Sequence, residues 1–590
     1  MYHVTLDGQG YVIDLASYRK GVAAPFAAKI RQGDAGYGDL AQASAWAQGS
    51  WRGGVGWRDF DARYPDRYDL GPGIDGFGDD VRCGPQLATA YTPAAGVNDL
   101  YRLQPYGAKL YAARGDGGQI YDTADGTTWA TAHASASTAL RAMGLFNNLL
   151  LVGSGNNGDI HRFDGAAWAV WGTLANVSQV GSISAWYRAV GNNKAYVGVT
   201  SSVSGRAALY EATTAPAFTL VYETDYDRLE ASIVWDNALW FAAITDSQGH
   251  RGGLYRYDGS SFTLVQVIPD NAITSFAIYR NRLYAGSATR GKVWRVTAQG
   301  LEDVFSVPDV VGIGGVSAYN QDVRQLVVHN DRLYVPVVDT NGLGVYVYDG
   351  VGWHNLATGG VGQEPRGIAS FAGTVFLSNK NSSGARVLKL STTDALSGAV
   401  LVSSWFDAGL PSADKALVRL LVRHAPLASG EAIAVDYERD ESGAWDSLGT
   451  SNTIDATEKL FSYPAATTAR SLRLRIALTM ATTTASPRLR ELSLEYAVMP
   501  ELKAEWRFDV LLEGTAALPL IRLDQSAEPK TGAELADTLW ASRAKKYPVS
   551  YTDLDGETKT VYLRDIEEQV SPRSQRPGLN TRARVTLVEA

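Results

Sequence analysis

Apolar and polar positions along the chain fall into a phrase that recurs about every 44 residues. Each copy reads as a polar turn, an apolar pair carrying a bulky residue, a glycine-containing turn, and a second aromatic strand. The bulky position falls at Tyr111, Leu150, Tyr196, Trp240, Tyr284, Tyr334 and Phe376, with gaps of 39, 46, 44, 44, 50 and 42 residues. Asn147-Asn148, Asn192-Asn193, Asn237, Asn281 and Asn330-Asp331 supply turns before it. Units of this length fit four-stranded blades, and seven of them predict a seven-bladed β-propeller over residues 96–400. A strand near Gln86 to Tyr91 is placed to complete the last blade and remove an exposed sheet edge.

Four copies end in Asp-Gly-x-x-aromatic: Asp125-Gly126 to Trp129, Asp164-Gly165 to Trp168, Asp258-Gly259 to Phe262, and Asp349-Gly350 to Trp353. Asp-Gly supplies the positive backbone torsions of a tight hairpin. The aromatic that follows opens an outer strand and is expected to pack between blades. The phrase resembles a shortened Asp-box turn of sialidase-type propellers, and that resemblance implies a structural hairpin away from any catalytic face.

The pattern changes on both sides of the repeat. Over residues 401–499 strict alternation takes over, as in Leu417 to Arg423, Leu472 to Ile476 and Leu492 to Tyr496. This predicts an antiparallel, jelly-roll-like β-sandwich with arginines on its solvent or partner face. Residues 500–590 read as a small α+β attachment module. Trp506, Phe508 and Val510 alternate, and Thr531 to Glu534 forms a capping box before a helix with Leu535 and Leu539 inward. Asp555-Gly556 marks a hairpin, and Ala583 to Val588 a last strand. Residues 1–95 read as an extended N-terminal arm. Its stretch from 34 to 80 spaces Trp46, Trp51, Trp57, Phe60, Tyr64 and Tyr68 among glycines and charges, which suits packing on other domains or chains.

Composition narrows the function. A chain of 590 residues exceeds one core and implies several domains. A net charge of −8 from 54 basic and 62 acidic residues argues against a nucleic-acid surface. Cys83 is the single cysteine, so neither an internal disulfide nor a cysteine-based metal site is available. The first residues carry neither a basic nor an apolar signal region, and no stretch approaches the ~20 apolar residues of a membrane span. Synthesis in the cytoplasm without a signal peptide is expected.

The order of parts resembles structural proteins of the tails of long-tailed bacteriophages. Three places carry the resemblance: Tyr37 to Leu40 with Trp46 to Gly56 and Arg63-Tyr64; the propeller and sandwich that follow; and Tyr547 to Gly556 with Arg584 to Glu589. It implies a virion protein at the tail tip or along the tail, present in several copies. Its partners would be other tail proteins and a host-surface glycan. The resemblance implies no catalytic residue and no cofactor. Candidate partner contacts are Trp46, Trp51, Trp57, Phe60 and Tyr64 in the arm, and Arg573 and Arg576 in a polar loop.

The alternative is a carbohydrate-binding or carbohydrate-cleaving propeller. A sialidase-like site needs an arginine triad with a tyrosine and a carboxylate on one rim, and Arg141, Arg188, Arg206 and Arg324 are candidates, though none sits in a motif. The seven histidines include no pair at metal-binding helical spacing. His161 occupies a strand position filled by Tyr255 and Trp294 in other repeats and reads as a packing residue. Asp553-x-Asp555-Gly556 begins like a calcium loop but lacks the distal ligands, which favours the hairpin. The reading is therefore a non-enzymatic structural protein.

Overall fold

The computed structural model describes residues 3–23, 44–137, 139–187, 193–213, 216–245, 251–269, 272–287, 291–306, 325–339, 342–359, 363–380, 384–499, 503–512, 519–522, 525–545, 547–569 and 582–589. The chain is mainly β, with β-propeller and β-sandwich-like architecture. It divides into two compact units, one of residues 1–44, 412–417 and 496–590, the other of residues 45–411 and 418–495.

The larger unit holds seven four-stranded antiparallel sheets. Each of the seven bulky repeat positions lies on the second strand of a different sheet. The first strands are Leu100–Tyr106, Leu140–Phe146, Val177–Tyr187, Arg228–Trp235, Ile273–Tyr279, Val327–His329 and Glu364–Phe371. Each lies against the first strand of the next sheet, and Glu364–Phe371 lies against Leu100–Tyr106. The last sheet takes its fourth strand, Pro85–Tyr91, from the N-terminal side, where it pairs with Val387–Ala395.

Local chemistry explains the regularity. Turns between first and second strands place two successive residues at positive φ, as at Asn147/Asn148, Asp236/Asn237 and Asn330/Asp331. That geometry matches strand twist and favours asparagine, aspartate and glycine. The four Asp-Gly turns join third and fourth strands. In each, the aspartate carboxylate accepts two backbone N–H bonds, Asp125 from Thr127 and Thr128 at 2.8 and 2.7 Å. Those donors hold the Asp125 carboxyl well below the usual range. The following aromatic then stacks on the outer strand of the preceding sheet: Trp129 on Tyr91 at 5.3 Å, Trp168 on His133 at 4.9 Å, Phe262 on Tyr222 at 4.4 Å and Trp353 on Phe305 at 4.3 Å. His161 is buried against His133, as a packing residue.

Residues 1–95 do not form one arm. Val4–Leu6 pairs with Val549–Thr552, and Ile13–Ala23 pairs with Lys503–Leu511, so the first strands belong with the C-terminal segment. Further on, Tyr68–Leu70 pairs with Ala399–Ser403 as an edge of one sandwich sheet. The order of that sheet is Trp445–Ser451, Ala432–Arg439, Leu472–Thr479, Ala399–Ser403, Tyr68–Leu70. The second sheet runs Ser44–Gln48, Leu489–Met499, Asp414–His424, Glu458–Ser462. The expected sandwich boundary at residue 401 therefore omits strands supplied from before the propeller. These strands, Ser44–Gln48 and Tyr68–Leu70, are five and three residues long, too short to show periodicity beside glycines and aspartates.

Residues 51–84 run along Trp353–Thr358, the outer strand of the sixth sheet. Val55 N–H donates to the Trp353 carbonyl at 2.8 Å and Gly73 N–H to the Asn355 carbonyl at 2.9 Å. A Cβ on Gly84 would stand 1.9 Å from the Leu356 carbonyl oxygen, so only glycine permits this approach. The Tyr68 hydroxyl lies 2.8 Å from His354 Nδ1, with both side chains fully buried. Arg473 sits opposite the buried Leu472 and Leu474, where its guanidinium bridges Asp69 at 2.9 Å and Glu438 at 2.6 Å. This sandwich arginine is thus an internal tie, with its side chain only 12% exposed, and not a partner contact.

The smaller unit is a seven-stranded antiparallel sheet. Its order is Gln9–Tyr11, Val4–Leu6, Val549–Thr552, Thr558–Gln569, Arg582–Glu589, Lys503–Leu511, Ile13–Ala23. The helix Gly532–Ala544 starts at the expected capping box: Thr531 accepts from Glu534 N–H, and the Glu534 carboxylate accepts from Thr531 N–H. Leu535 and Leu539 are buried with Trp506, Phe508, Tyr551, Val585 and Leu587. Thr552 and Thr558 face each other beside the Asp555-Gly556 turn, as expected for a hairpin.

Two measurements check this account. Ala372 is exposed with φ 47° in a first-to-second-strand turn. Ala372→Asn is expected to stabilise the protein by about 0.5–1 kcal/mol in chemical denaturation, because asparagine tolerates that region better than alanine. Burial also holds the His354 imidazole down at about 4. Protonation then favours the unfolded state, so the contribution is intact above the ordinary histidine range and drains as pH falls from about 6.5 to about 4. It amounts to about 3 kcal/mol at most. His354→Gln is expected to flatten the acid limb of a stability-versus-pH curve.

Candidate functional site

At the start of their first strands, six of the seven sheets break register in the same way. Leu100 faces Arg114 while Arg102 faces Ala113, which leaves Tyr101 unpaired in the ladder. Equivalent skips leave out Arg141, Gly181, Glu230, Thr274 and Arg366. A bulge bends the strand and re-aims the extra side chain, and bulges gather beside binding sites for that reason. Here they bring a tyrosine, two arginines, a glutamate and a threonine together from five sheets.

The geometry is polar and partly open to solvent. Tyr101 O–H donates to Glu230 Oε1 at 2.7 Å, and Arg228 Nε lies 3.4 Å from Glu230 Oε2. Arg141 and Arg366 stand over the Tyr101 ring at 5.6 and 5.8 Å from its centroid. Arg366 Nε lies 3.7 Å from Asp99 Oδ1, and Arg141 Nη1 donates to Gln179 Oε1 at 3.3 Å. Glu230 is 3% exposed and Tyr101 8%. Burial raises the Asp99 carboxyl above its usual range, against the opposing pull of Arg366. Between the first strands lies a cavity of about 130 Å³, lined among others by Arg102, Gln104, Ser182, Glu230, Ser275 and Gln325. Among the described residues no group of three or more His, Cys, Asp or Glu could hold a metal ion. The arrangement suits a small polar ligand needing both hydrogen-bond donors and acceptors.

Of the four candidate rim arginines, Arg141 belongs to this cluster. Arg206 instead pairs with Asp225 at 3.3 Å, and Arg188 and Arg324 lie outside the described residues. The aromatic partner contacts divide. Trp46 and Trp51 are buried, and Trp46 packs on Phe406 and Phe60 at 5.2 and 5.7 Å, so these rings serve the core and cannot meet a partner. Phe60 is half-buried in the same cluster. Trp57 and Tyr64 are exposed, with the Arg67 guanidinium 3.6 and 3.9 Å from their ring centroids. Arg573 and Arg576 lie outside the described residues. No helix among the described residues is long and apolar enough to cross a membrane.

Sequence reasoning missed Tyr101, Glu230 and Arg366. A signal was present: Tyr101 stands ten residues before Tyr111, Glu230 ten before Trp240, Thr274 ten before Tyr284 and Arg366 ten before Phe376. Each follows an aliphatic residue or proline and, apart from Tyr101, precedes a small one.

No family model matches the chain, and no curated protein matches it in sequence. Among solved structures it is similar to a streptogramin B lyase, at 11% identity and a TM-score of 0.41, over 52% of this chain and 97% of that one. It is also similar to the Cps50 (Swd1) β-propeller domain of Myceliophteria thermophila, at 11% identity and a TM-score of 0.36, over 52% of this chain and 100% of that one. Likenesses of this size carry no argument about activity.

Tyr101→Phe keeps the ring and removes the donor to a buried carboxylate. A loss of about 1–2 kcal/mol is expected in urea denaturation. An unchanged midpoint would mean that the Tyr101–Glu230 bond contributes nothing.

Proposed function

We propose that the protein is a structural component of the tail of a long-tailed bacteriophage, at the tail tip or along the tail. It acts in assembly and in adsorption to the host surface, by contact and not by catalysis. One observation carries the reading: both ends of the chain build one seven-stranded sheet, and the propeller and sandwich are inserted in sequence between its strands Ile13–Ala23 and Lys503–Leu511. A subunit held by a terminal module and working through an inserted one is organised in this way. The propeller is a seven-bladed ring, a count supported by the seven sheets, the cyclic order of their first strands, and closure by Pro85–Tyr91. The terminal unit is an α+β attachment module. Its edge strand Ile13–Ala23 offers unpaired backbone groups to a neighbour's sheet. A carbohydrate-binding or carbohydrate-cleaving propeller is the second reading, favoured by the convergence of Arg141, Arg366 and Glu230 on Tyr101.

The test uses Leu15 and Tyr562, which are 56% and 48% exposed in the terminal unit. Leu15→Glu with Tyr562→Glu is expected to leave thermal unfolding unchanged and to remove the protein from purified virions, read by quantitative mass spectrometry. Incorporation of the folded variant at wild-type copy number would end the attachment role. Absence of the wild-type protein from virions would end the tail reading.

A further inference from the structure

The bulged end of the propeller channel contains charge and hydrogen-bonding capacity without partners among the described residues. Arg366 has Asp99, and Arg228 has Glu230. Arg141 has no carboxylate within ion-pair distance among the described residues, and its Nε is buried without a hydrogen-bond partner among them. Its one polar bond goes to the neutral Gln179. Arg102, Arg141 and Arg366 stand over the Tyr101 ring and Arg228 lies on Glu230, so among the described residues four guanidiniums face the two carboxylates Asp99 and Glu230, and Arg141 has no carboxylate of its own. A half-buried cation in this position is stabilised by an incoming anion.

One residue beyond the bulge positions Gly181 and Thr274, the Ser182 and Ser275 hydroxyls are 6% and 4% exposed by residue, line the cavity, and have no hydrogen-bond partner among the described residues. Buried hydroxyls are normally satisfied, so two of them lining one cavity point to a ligand or to water. Glu230 lines the cavity too and accepts hydrogen bonds. An inorganic oxyanion would suit Arg141 but would bring no donor to Glu230. A neutral sugar would suit Glu230 and the serines but would leave Arg141 uncompensated. A carboxylate that also bears hydroxyls satisfies all four. The cavity of about 130 Å³ has room for about four waters, so it takes the hydroxyl-bearing part of such a molecule beside Ser182, Ser275 and Glu230 and not a whole oligosaccharide, while the carboxylate meets Arg141 next to the lining residue Ala142.

We infer that the bulged end of the channel is a binding site for the carboxylate end of an acidic sugar, with Arg141 pairing with the carboxylate and Ser182, Ser275 and Glu230 holding hydroxyls. The site goes beyond the tail reading and holds for the purified protein whether or not that reading does. The ligand could be a free sugar acid or the terminal residue of an acidic glycan.

The experiment titrates the full chain with glucuronate, glucose, sulfate and polygalacturonate, read by isothermal calorimetry and thermal shift. Glucuronate is expected to bind in the millimolar range or tighter, with glucose and sulfate weaker by about tenfold or more, the scale of one charge-assisted contact. Arg141→Gln is expected to cost glucuronate about the same factor, and the exposed control Arg206→Gln nothing. Should Arg141→Gln fail to fold, Ser182→Ala with Ser275→Ala takes its place, with a loss of about threefold or more expected. Binding of polygalacturonate assigns the site to glycan ends; binding of glucuronate alone assigns it to the free acid. Glucuronate binding no better than glucose or sulfate would overturn the proposal, as would wild-type affinity in the folded variants.

Discussion

A four-stranded sheet that is apolar on both faces is stable only with a neighbour on each side, and this requirement governs the larger unit. Alternation along the second strands sends Tyr111 against Phe163 and Trp168 of the next sheet, while Trp129 stacks back on Tyr91 of the preceding one. Each stacked pair contributes about 0.5–1.5 kcal/mol beyond its buried area. Its larger effect is geometric, because a ring face accepts its neighbour over a narrow range of offsets. The last sheet takes its outer strand, Pro85–Tyr91, from before the first repeat, and through Tyr91 that strand receives Trp129 of the first sheet.

Closure crowds the first strands, and the bulges follow from it. Strands converging on a channel cannot all keep a full ladder to their outer partners at the narrow end. One extra residue per strand relieves the mismatch and turns that residue inward. Six sheets make this adjustment at one level. The side chains so placed are polar where a purely structural bulge would accept Gly181 or alanine. Tyr101, Arg141, Glu230 and Arg366 interact only because each strand makes the same detour.

The sequence revealed what repeats. The bulky second-strand position recurs because every sheet needs it, and the asparagine and Asp-Gly turns mark the hairpins on either side. The capping box at Thr531 and the alternation of Trp506 and Phe508 were readable for the same local reason. What repeats only through a register break was missed. No residue type marks a bulge, and the ten-residue offset to Glu230 or Arg366 gains meaning only once the strands are paired. The N-terminal segment was misread because its strands are defined by partners hundreds of residues away: Tyr68–Leu70 by Ala399–Ser403, and Ile13–Ala23 by Lys503–Leu511. Trp46 and Trp51 read as contact residues because aromatics among glycines have no local core, yet the sandwich supplies one through Phe406.

The same long-range pairing gives the chain its organisation. The sheet of the smaller unit needs residues 4–23 beside residues 503–589, so that sheet cannot form until everything between has been made. Its Trp506, Phe508 and Tyr551 core draws Val4, Leu6 and Ile13 from the other end. A C-terminal fragment would lack strands on two sides of that core, and an N-terminal fragment would have nothing to pair with. The larger unit repeats the arrangement on a smaller scale, with Tyr68–Leu70 and Pro85–Tyr91 waiting for strands near residues 400 and 390. The larger unit therefore has its strands once residue 495 is made, whereas the smaller unit waits for residues 503–589 to join residues 4–23.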